Sequence, residues 1–214
     1  MKIFLLVVSL FATQLSTFAQ ITSSPEAKVI LDKVSAATDA MEAIHIVFEY
    51  KLTNKEENIS DSSMGELTLK KDQYLLSFMG LSQMSDGENV WTILTDDEEI
   101  QIAEIDLEDE NALTPSNLLK MYETGFMYQL QDKVGNLQII ELLPENPADV
   151  DYIKIELLID TSVNQIKNLK QFGKNATESE YIINNFAPSI ISDEAFIFKE
   201  TDYVDFEIID ANDR

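Results

Sequence analysis

Few residues in this chain have side chains that commonly act in catalysis, and their spacing does not form a catalytic group. The sequence has one histidine, His45, and no cysteine. Nucleophilic catalysis needs a nucleophile beside a base on a shaped turn. No G-x-S-x-G elbow, phosphate-binding glycine loop or H-E-x-x-H motif occurs. His45 alternates with the apolar residues of its predicted strand, so its side chain is expected to face solvent. The sequence therefore predicts a protein that is not an enzyme and uses no cofactor.

Carboxylates are abundant, and two acidic runs could gather Ca²⁺: Asp96–Glu99 and Asp106–Glu110. Both runs lack the glycine and glutamate spacing of an EF-hand loop. Solvated turns are the favoured interpretation, so no metal site is predicted. The chain has 39 Asp and Glu against 15 Lys and Arg, a formal net charge of −24. A charge of that sign repels phosphates and anionic lipid head groups, which excludes a nucleic-acid partner and stable electrostatic anchoring to a membrane.

The first 19 residues have the pattern of a signal peptide. Lys2 precedes the mostly apolar run Ile3–Ala12, and Thr17–Ala19 offers the small residues of a cleavage site. The apolar run is too short for a transmembrane helix. Without cysteine the chain can form no disulfide and carries no acylation site of a lipoprotein. We expect cleavage of residues 1–19 and a soluble periplasmic protein with a single domain over residues 20–214.

The apolar residues follow helix and strand periods. Ser24-Pro25-Glu26 predicts a helix start, because Ser is a good N-cap and Pro suits the first helical position. The strand predicted over Ile44–Leu52 alternates apolar and polar residues. Asp86-Gly87 predicts a tight hairpin, because Gly readily takes a positive φ. This hairpin lies in an antiparallel meander predicted over Gly65–Ile105.

The remaining pattern predicts more strands and one further helix. Thr114-Pro115-Ser116 predicts the start of a short apolar helix. Asn54–Ser63 is predicted as a turn region, Phe186–Pro188 as a break in the sheet, and Phe206–Ile209 as a possible last strand. About ten strands and two helices indicate a mainly β (α+β) fold. We expect a strongly curved antiparallel sheet, or incomplete β-barrel, covered on its concave face by helices.

The order of these parts resembles the LolA family of periplasmic outer-membrane lipoprotein carriers. The resemblance covers nearly all of residues 20–214. It lies in the first helix and the strand with Phe48, and in the segments Ser85-Asp86-Gly87-x-x-Val90-Trp91, Thr114-Pro115-Ser116, Gly125-Phe126, Phe186-x-Pro188 and Asp193-x-x-Phe196-x-Phe198.

The resemblance implies a hydrophobic cavity that shelters lipoprotein acyl chains between the inner and outer membranes. Implied partners are acylated lipoproteins or lipid, an inner-membrane releasing complex and an outer-membrane acceptor, with the carrier acting as a monomer. Family members carry an arginine early in the sheet that helps to latch a helical lid. Here the only arginine is Arg214, so that latch cannot exist in its usual form.

On this hypothesis, eleven residues line the cavity. The sheet side would comprise Ile46, Phe48, Tyr50, Leu67, Leu69, Phe78, Trp91 and Ile93, and the lid Leu118, Met121 and Tyr122. The simpler interpretation of each residue is ordinary hydrophobic core. An alternative function is a periplasmic module of the same fold that binds another lipid or apolar ligand, or an envelope-stress sensor.

Overall fold

The computed structural model describes residues 23–105 and 121–211. Within them the chain forms one α-helix, three short 3-10 helices and twelve strands of a single sheet. The helix α1 is Pro25–Asp39 and the 3-10 helices are Met121–Glu123, Asp193–Phe196 and Glu200–Asp202. The strands are β1 Ile44–Asn54, β2 Ile59–Lys70, β3 Gln73–Phe78, β4 Leu81–Ser85, β5 Asn89–Leu94, β6 Glu99–Glu104, β7 Phe126–Val134, β8 Leu137–Pro144, β9 Tyr152–Asp160, β10 Gln165–Gly173, β11 Thr177–Pro188 and β12 Glu207–Asp210.

The strand order is β12-β6-β5-β4-β3-β2-β1-β11-β10-β9-β8-β7, so β12 and β7 are the edges and the sheet is open. Every neighbouring pair is antiparallel except β12 with β6. Two meanders of hairpins, β1–β6 and β7–β11, meet where β1 pairs with β11. The predicted mainly β fold is confirmed. Of the two predicted helices, α1 is present. The helix predicted from Thr114 falls on residues 114–120, which are outside the described residues.

The tight turn between β4 and β5 forms as its sequence predicts. Gly87 has φ 98°. The Asp86 carboxylate accepts hydrogen bonds from the backbone N–H groups of Glu88 and Asn89 at 2.9 and 2.8 Å. The strand β4 was absent from the prediction. It follows a turn in which Met79 has φ 53° and Gly80 has φ 80°. A positive φ is expected at glycine but not at methionine, so the sequence did not predict this turn.

Two predicted breaks in the sheet are wrong. The strand β2 already begins at Ile59, inside the predicted turn Asn54–Ser63, because its polar first half pairs residue by residue with β1. The turn is confined to residues 55–58 and is held by Asn54, whose side-chain oxygen accepts from the backbone N–H groups of Glu56 and Glu57. The segment Phe186–Pro188 continues β11, where Pro188 pairs with Ile44.

The helix α1 begins and buries one face as expected. The Ser24 hydroxyl accepts a hydrogen bond from the Ala27 N–H at 3.2 Å, which satisfies one free donor of the first turn. Ala27, Leu31 and Val34 are buried. They pack on the β7–β10 part of the sheet, in a core that comprises Tyr122, Phe126, Tyr128, Ile140, Leu142, Ile155, Leu157, Ile159 and Ile166.

The face of the sheet that α1 covers, called the helix face below, holds a second core on β1–β3. The register links the two cores, because Leu157 pairs with Leu169, Leu169 with Tyr181, and Tyr181 with Tyr50. Residues in register share a face. The buried members of the second core are Ile44, Ile46, Phe48, Leu67, Leu69 and Tyr74.

The chain after β11 lies on the opposite face. Lys70 donates to Asp193 at 2.6 Å and to the Ile191 carbonyl at 3.3 Å. The Lys70 ammonium holds the pKa of Asp193 below its ordinary value. Farther on, Phe198 stacks on Trp91 with ring centroids 5.2 Å apart. This C-terminal segment ends in β12, as predicted for Phe206–Ile209. No helix among the described residues is long and apolar enough to cross a membrane.

Candidate functional site

Four aromatic rings meet on the helix face and form what we call the aromatic patch: Phe48, Tyr50, Phe78 and Tyr181. Phe78 lies 5.5 Å from Phe48 and 5.4 Å from Tyr50 between ring centroids. Tyr181 lies 6.0 Å from Phe48 and 4.9 Å from Tyr50. The rings are tilted or edge-on, which are favourable arrangements. Phe48 is buried, and the other three are half-buried, so part of this apolar surface is exposed and a ligand could contact it.

Gly65 sets the position of the Phe48 ring. The two residues are directly opposite on β2 and β1. A Cβ atom at position 65 would lie 2.3 Å from Phe48 Cζ, far inside van der Waals contact. The glycine therefore lets the ring lie over the strand, and the ring reaches Phe78 and Tyr181 from there.

Two tyrosines around the patch, Tyr74 and Tyr181, have raised pKa values because they are withdrawn from water. Burial raises the pKa of Tyr74 to about 12. Burial, followed by the proximity of Tyr50, also raises the pKa of Tyr181. The Tyr50 hydroxyl lies 3.3 Å from the Ser179 hydroxyl, within hydrogen-bond distance. A neutral, mostly hydrocarbon surface suits an apolar ligand.

The eight predicted sheet-side residues do not share one surface. Six lie in the second core of the helix face: Ile46, Phe48, Tyr50, Leu67, Leu69 and Phe78. Val90 is in register with Ser85 and Tyr74 of that face, so its neighbour Trp91 points to the opposite face. Ile93 follows Trp91 at the strand period and lies there too. The pattern of β5 alone could not reveal this, because a register shift of one residue exchanges the faces.

The three predicted lid residues are placed differently. Leu118 lies outside the described residues. The backbone of Met121 begins the 3-10 helix Met121–Glu123. Tyr122 is 2% exposed and belongs to the core beneath α1. Tyr122 therefore belongs to that core rather than to the aromatic patch.

The overall architecture identifies structural relatives. An uncharacterized conserved protein from Thermus thermophilus matches at 10% identity over 86% of this chain and 99% of its own, with a TM-score of 0.55. The Mycobacterium tuberculosis lipoprotein LppX matches at 12% identity over 79% and 99%, with a TM-score of 0.51. A LolA superfamily protein from Nitrosomonas europaea matches at 12% identity over 82% and 98%, with a TM-score of 0.45. The chain shares its fold with the Thermus protein and with LppX.

Identities this low show the fold alone. No protein-family model and no curated protein sequence matches the chain. The residues that the sheet brings together are therefore the basis for a proposed function.

Sequence reasoning missed the part of the site that comes from β11. Tyr181, Ile183 and Phe186 pack against the second core beside the predicted residues. The apolar run Tyr181–Ile183 was visible in the sequence. However, nothing local in the sequence indicates that β11 of one meander pairs with β1 of the other.

The polar groups form no metal centre among the described residues, where no cluster of three or more histidine or acidic side chains could hold an ion. His45 is half-buried on the opposite face. Its Nδ1 lies 3.1 Å from Thr68 Oγ1, within hydrogen-bond distance.

Proposed function

We propose that this protein is a periplasmic carrier that binds the acyl chains of lipoproteins at the aromatic patch. The observation that carries the proposal is the accessible apolar surface on the helix face. Half-buried Tyr50, Phe78 and Tyr181 lie around buried Phe48. The core beneath α1 is a separate cluster, so α1 does not cover the aromatic patch.

Binding of an acyl chain at such a surface has enough driving force. Shelter from water is worth roughly 0.8 kcal/mol per methylene, so a palmitoyl-length chain gains on the order of 12 kcal/mol when fully covered. A carrier must also release its cargo. Several partial contacts with tilted rings and aliphatic side chains can break one at a time. A deep rigid slot would have to release the whole acyl chain at once.

The proposal assigns roles to the predicted residues. Ile46, Leu67 and Leu69 flank the patch on the same face of the sheet, and Phe48, Tyr50 and Phe78 contact the acyl chain with Tyr181. Leu118 and Met121 remain proposed lid residues. The segment that contains Leu118 joins β6 to β7, near opposite edges of the sheet, and buried Tyr122 would anchor its end.

Replacement of one half-buried ring by a carboxylate tests the patch. Phe78→Glu should reduce the affinity for a fluorescent fatty-acyl probe, such as cis-parinaric acid, by at least tenfold. Met64→Glu is the matched control, because Met64 is 55% exposed and lies on the opposite face, where it pairs with Glu49. Equal affinities for the two variants, with native circular dichroism spectra, would remove the patch as the binding site.

Native mass spectrometry of protein isolated gently from its own cells tests the cargo. Co-purified acylated polypeptides would support a lipoprotein carrier. Free lipid or another apolar molecule would support the alternative of a binding module or envelope-stress sensor with the same fold. The same spectrum tests export, since the proposed periplasmic form begins at Gln20.

A further inference from the structure

A cleft lies on the opposite face of the sheet from the aromatic patch. It is an open cleft of about 310 Å³ whose lining comes from strands β1–β5 and from Tyr203 of the C-terminal segment. That volume falls at the lower end of the range for small-molecule sites. The cleft lies on the face without the aromatic patch, so an occupant would not compete directly with an acyl chain.

The floor of the cleft is apolar. Leu75, Met84 and Ile93 contribute aliphatic and thioether surface, and Ile93 is 5% exposed. Tyr203 adds an aromatic side chain that its neighbours hold in place. Its ring stacks on Phe198 at 5.5 Å and meets Phe206 edge-on at 5.3 Å.

The polar lining is unbalanced in charge. Glu66 is the one carboxylate among the described lining residues, and no lysine or arginine lines the cleft. The other polar groups are neutral amide and hydroxyl groups and His45, whose Nδ1 is engaged with Thr68. The formal net charge of −24 adds a field that attracts cations and repels anions.

We infer that this cleft binds a small organic ammonium ion with a short apolar body. The ammonium group would lie between the Glu66 carboxylate and the Tyr203 ring, because a carboxylate and an aromatic face both attract a cation. The apolar body would cover Leu75, Met84 and Ile93. An inorganic cation would leave that floor exposed, and a carboxylate ligand would be repelled by Glu66.

The single histidine provides a direct measurement on untagged protein. Titration with butyltrimethylammonium should shift the ¹H–¹³C signals of the His45 imidazole in a saturable manner. Pentanoate and 1-pentanol, of similar size, should bind at least fivefold more weakly. The absence of a saturable shift with butyltrimethylammonium, or equal shifts with all three probes, would overturn the inference.

Variants separate this site from the aromatic patch and from general charge attraction. Glu66→Gln and Tyr203→Leu should each weaken butyltrimethylammonium binding at least fivefold. Asp61→Asn is the control, because it removes one exposed carboxylate from the same strand without touching the cleft. Phe78→Glu should leave the His45 shift unchanged. Loss of the shift in Phe78→Glu, or no difference between Glu66→Gln and Asp61→Asn, would refute the site.

Discussion

Gly65→Ala gives the sharpest test of how the aromatic patch is built. The new methyl carbon would lie 2.3, 2.6 and 2.8 Å from Cζ, Cε2 and Cε1 of Phe48. Normal carbon contacts are about 3.5–4.0 Å, so the ring must move by more than about 1 Å. Overpacking of this kind costs about 1–3 kcal/mol.

An opposing contribution comes from the unfolded chain. Gly65 does not have a positive φ, so alanine fits its backbone conformation and gains about 0.4–1 kcal/mol by restricting the unfolded state. The net destabilisation should be about 1–2 kcal/mol. For a chain of this size that lowers Tm by about 2–8 °C. Urea unfolding followed by circular dichroism measures the free energy, and the acyl-probe affinity should fall because the displaced ring disturbs the patch.

A double-mutant cycle identifies the cause. Phe48→Leu removes the ring that the new methyl group meets, so Gly65→Ala should be neutral or slightly stabilising in that background. The difference between the two backgrounds is the coupling free energy of the pair. If Gly65→Ala costs the same in both backgrounds, or stabilises the wild-type protein, the ring does not require a glycine and the reasoning fails.

Three further predictions concern other parts of the fold. Leu31→Ala should lower the free energy of unfolding in urea by about 2–5 kcal/mol, because it leaves a cavity beneath α1; a change below about 1 kcal/mol would contradict the packing of that helix. Phe198→Ala should shift the emission of Trp91 to longer wavelength by removing its stacking partner, while acyl-probe binding stays unchanged because the stack lies on the opposite face. Burial raises the pKa of Tyr74 to about 12 in the folded state, above the unfolded value near 10. Stability from Tyr74 is therefore fully present below pH 10 and is lost towards pH 12, and Tyr74→Phe should flatten this part of the stability curve; an unaltered curve would contradict it.

The sequence predicted those elements whose signals are local. The cap at Ser24 predicted α1, the alternation after Ile44 predicted β1, and Asp86-Gly87 predicted the turn before β5. Each depends on residues a few positions apart. The strand β2 was misjudged at its start because residues such as Ser60 and Ser62 are weak strand formers. Pairing with β1 outweighs that preference.

The candidate site was predictable only in part for the same physical reason. The face on which Phe48, Tyr50 and Phe78 lie could be predicted, because β1, β2 and β3 alternate regularly and are joined by short turns. Trp91 required knowledge of β4, which was missing, and Tyr181 required the pairing of β11 with β1. Side-chain direction changes with each residue along a strand, so a single error in connection moves a residue to the other face.

The pairing of β1 with β11 also governs how this chain must fold. Ile44 and Pro188 are partners although about two thirds of the chain separates them, whereas the strands of each meander find neighbours nearby. Each half can form its hairpins early, because their strands are close in sequence. The central pair of β1 and β11 can form only when both halves meet, and such long-range loop closure is slow. If the protein is exported, as proposed here, the seam between β1 and β11 cannot be complete before residue 188 has crossed the membrane.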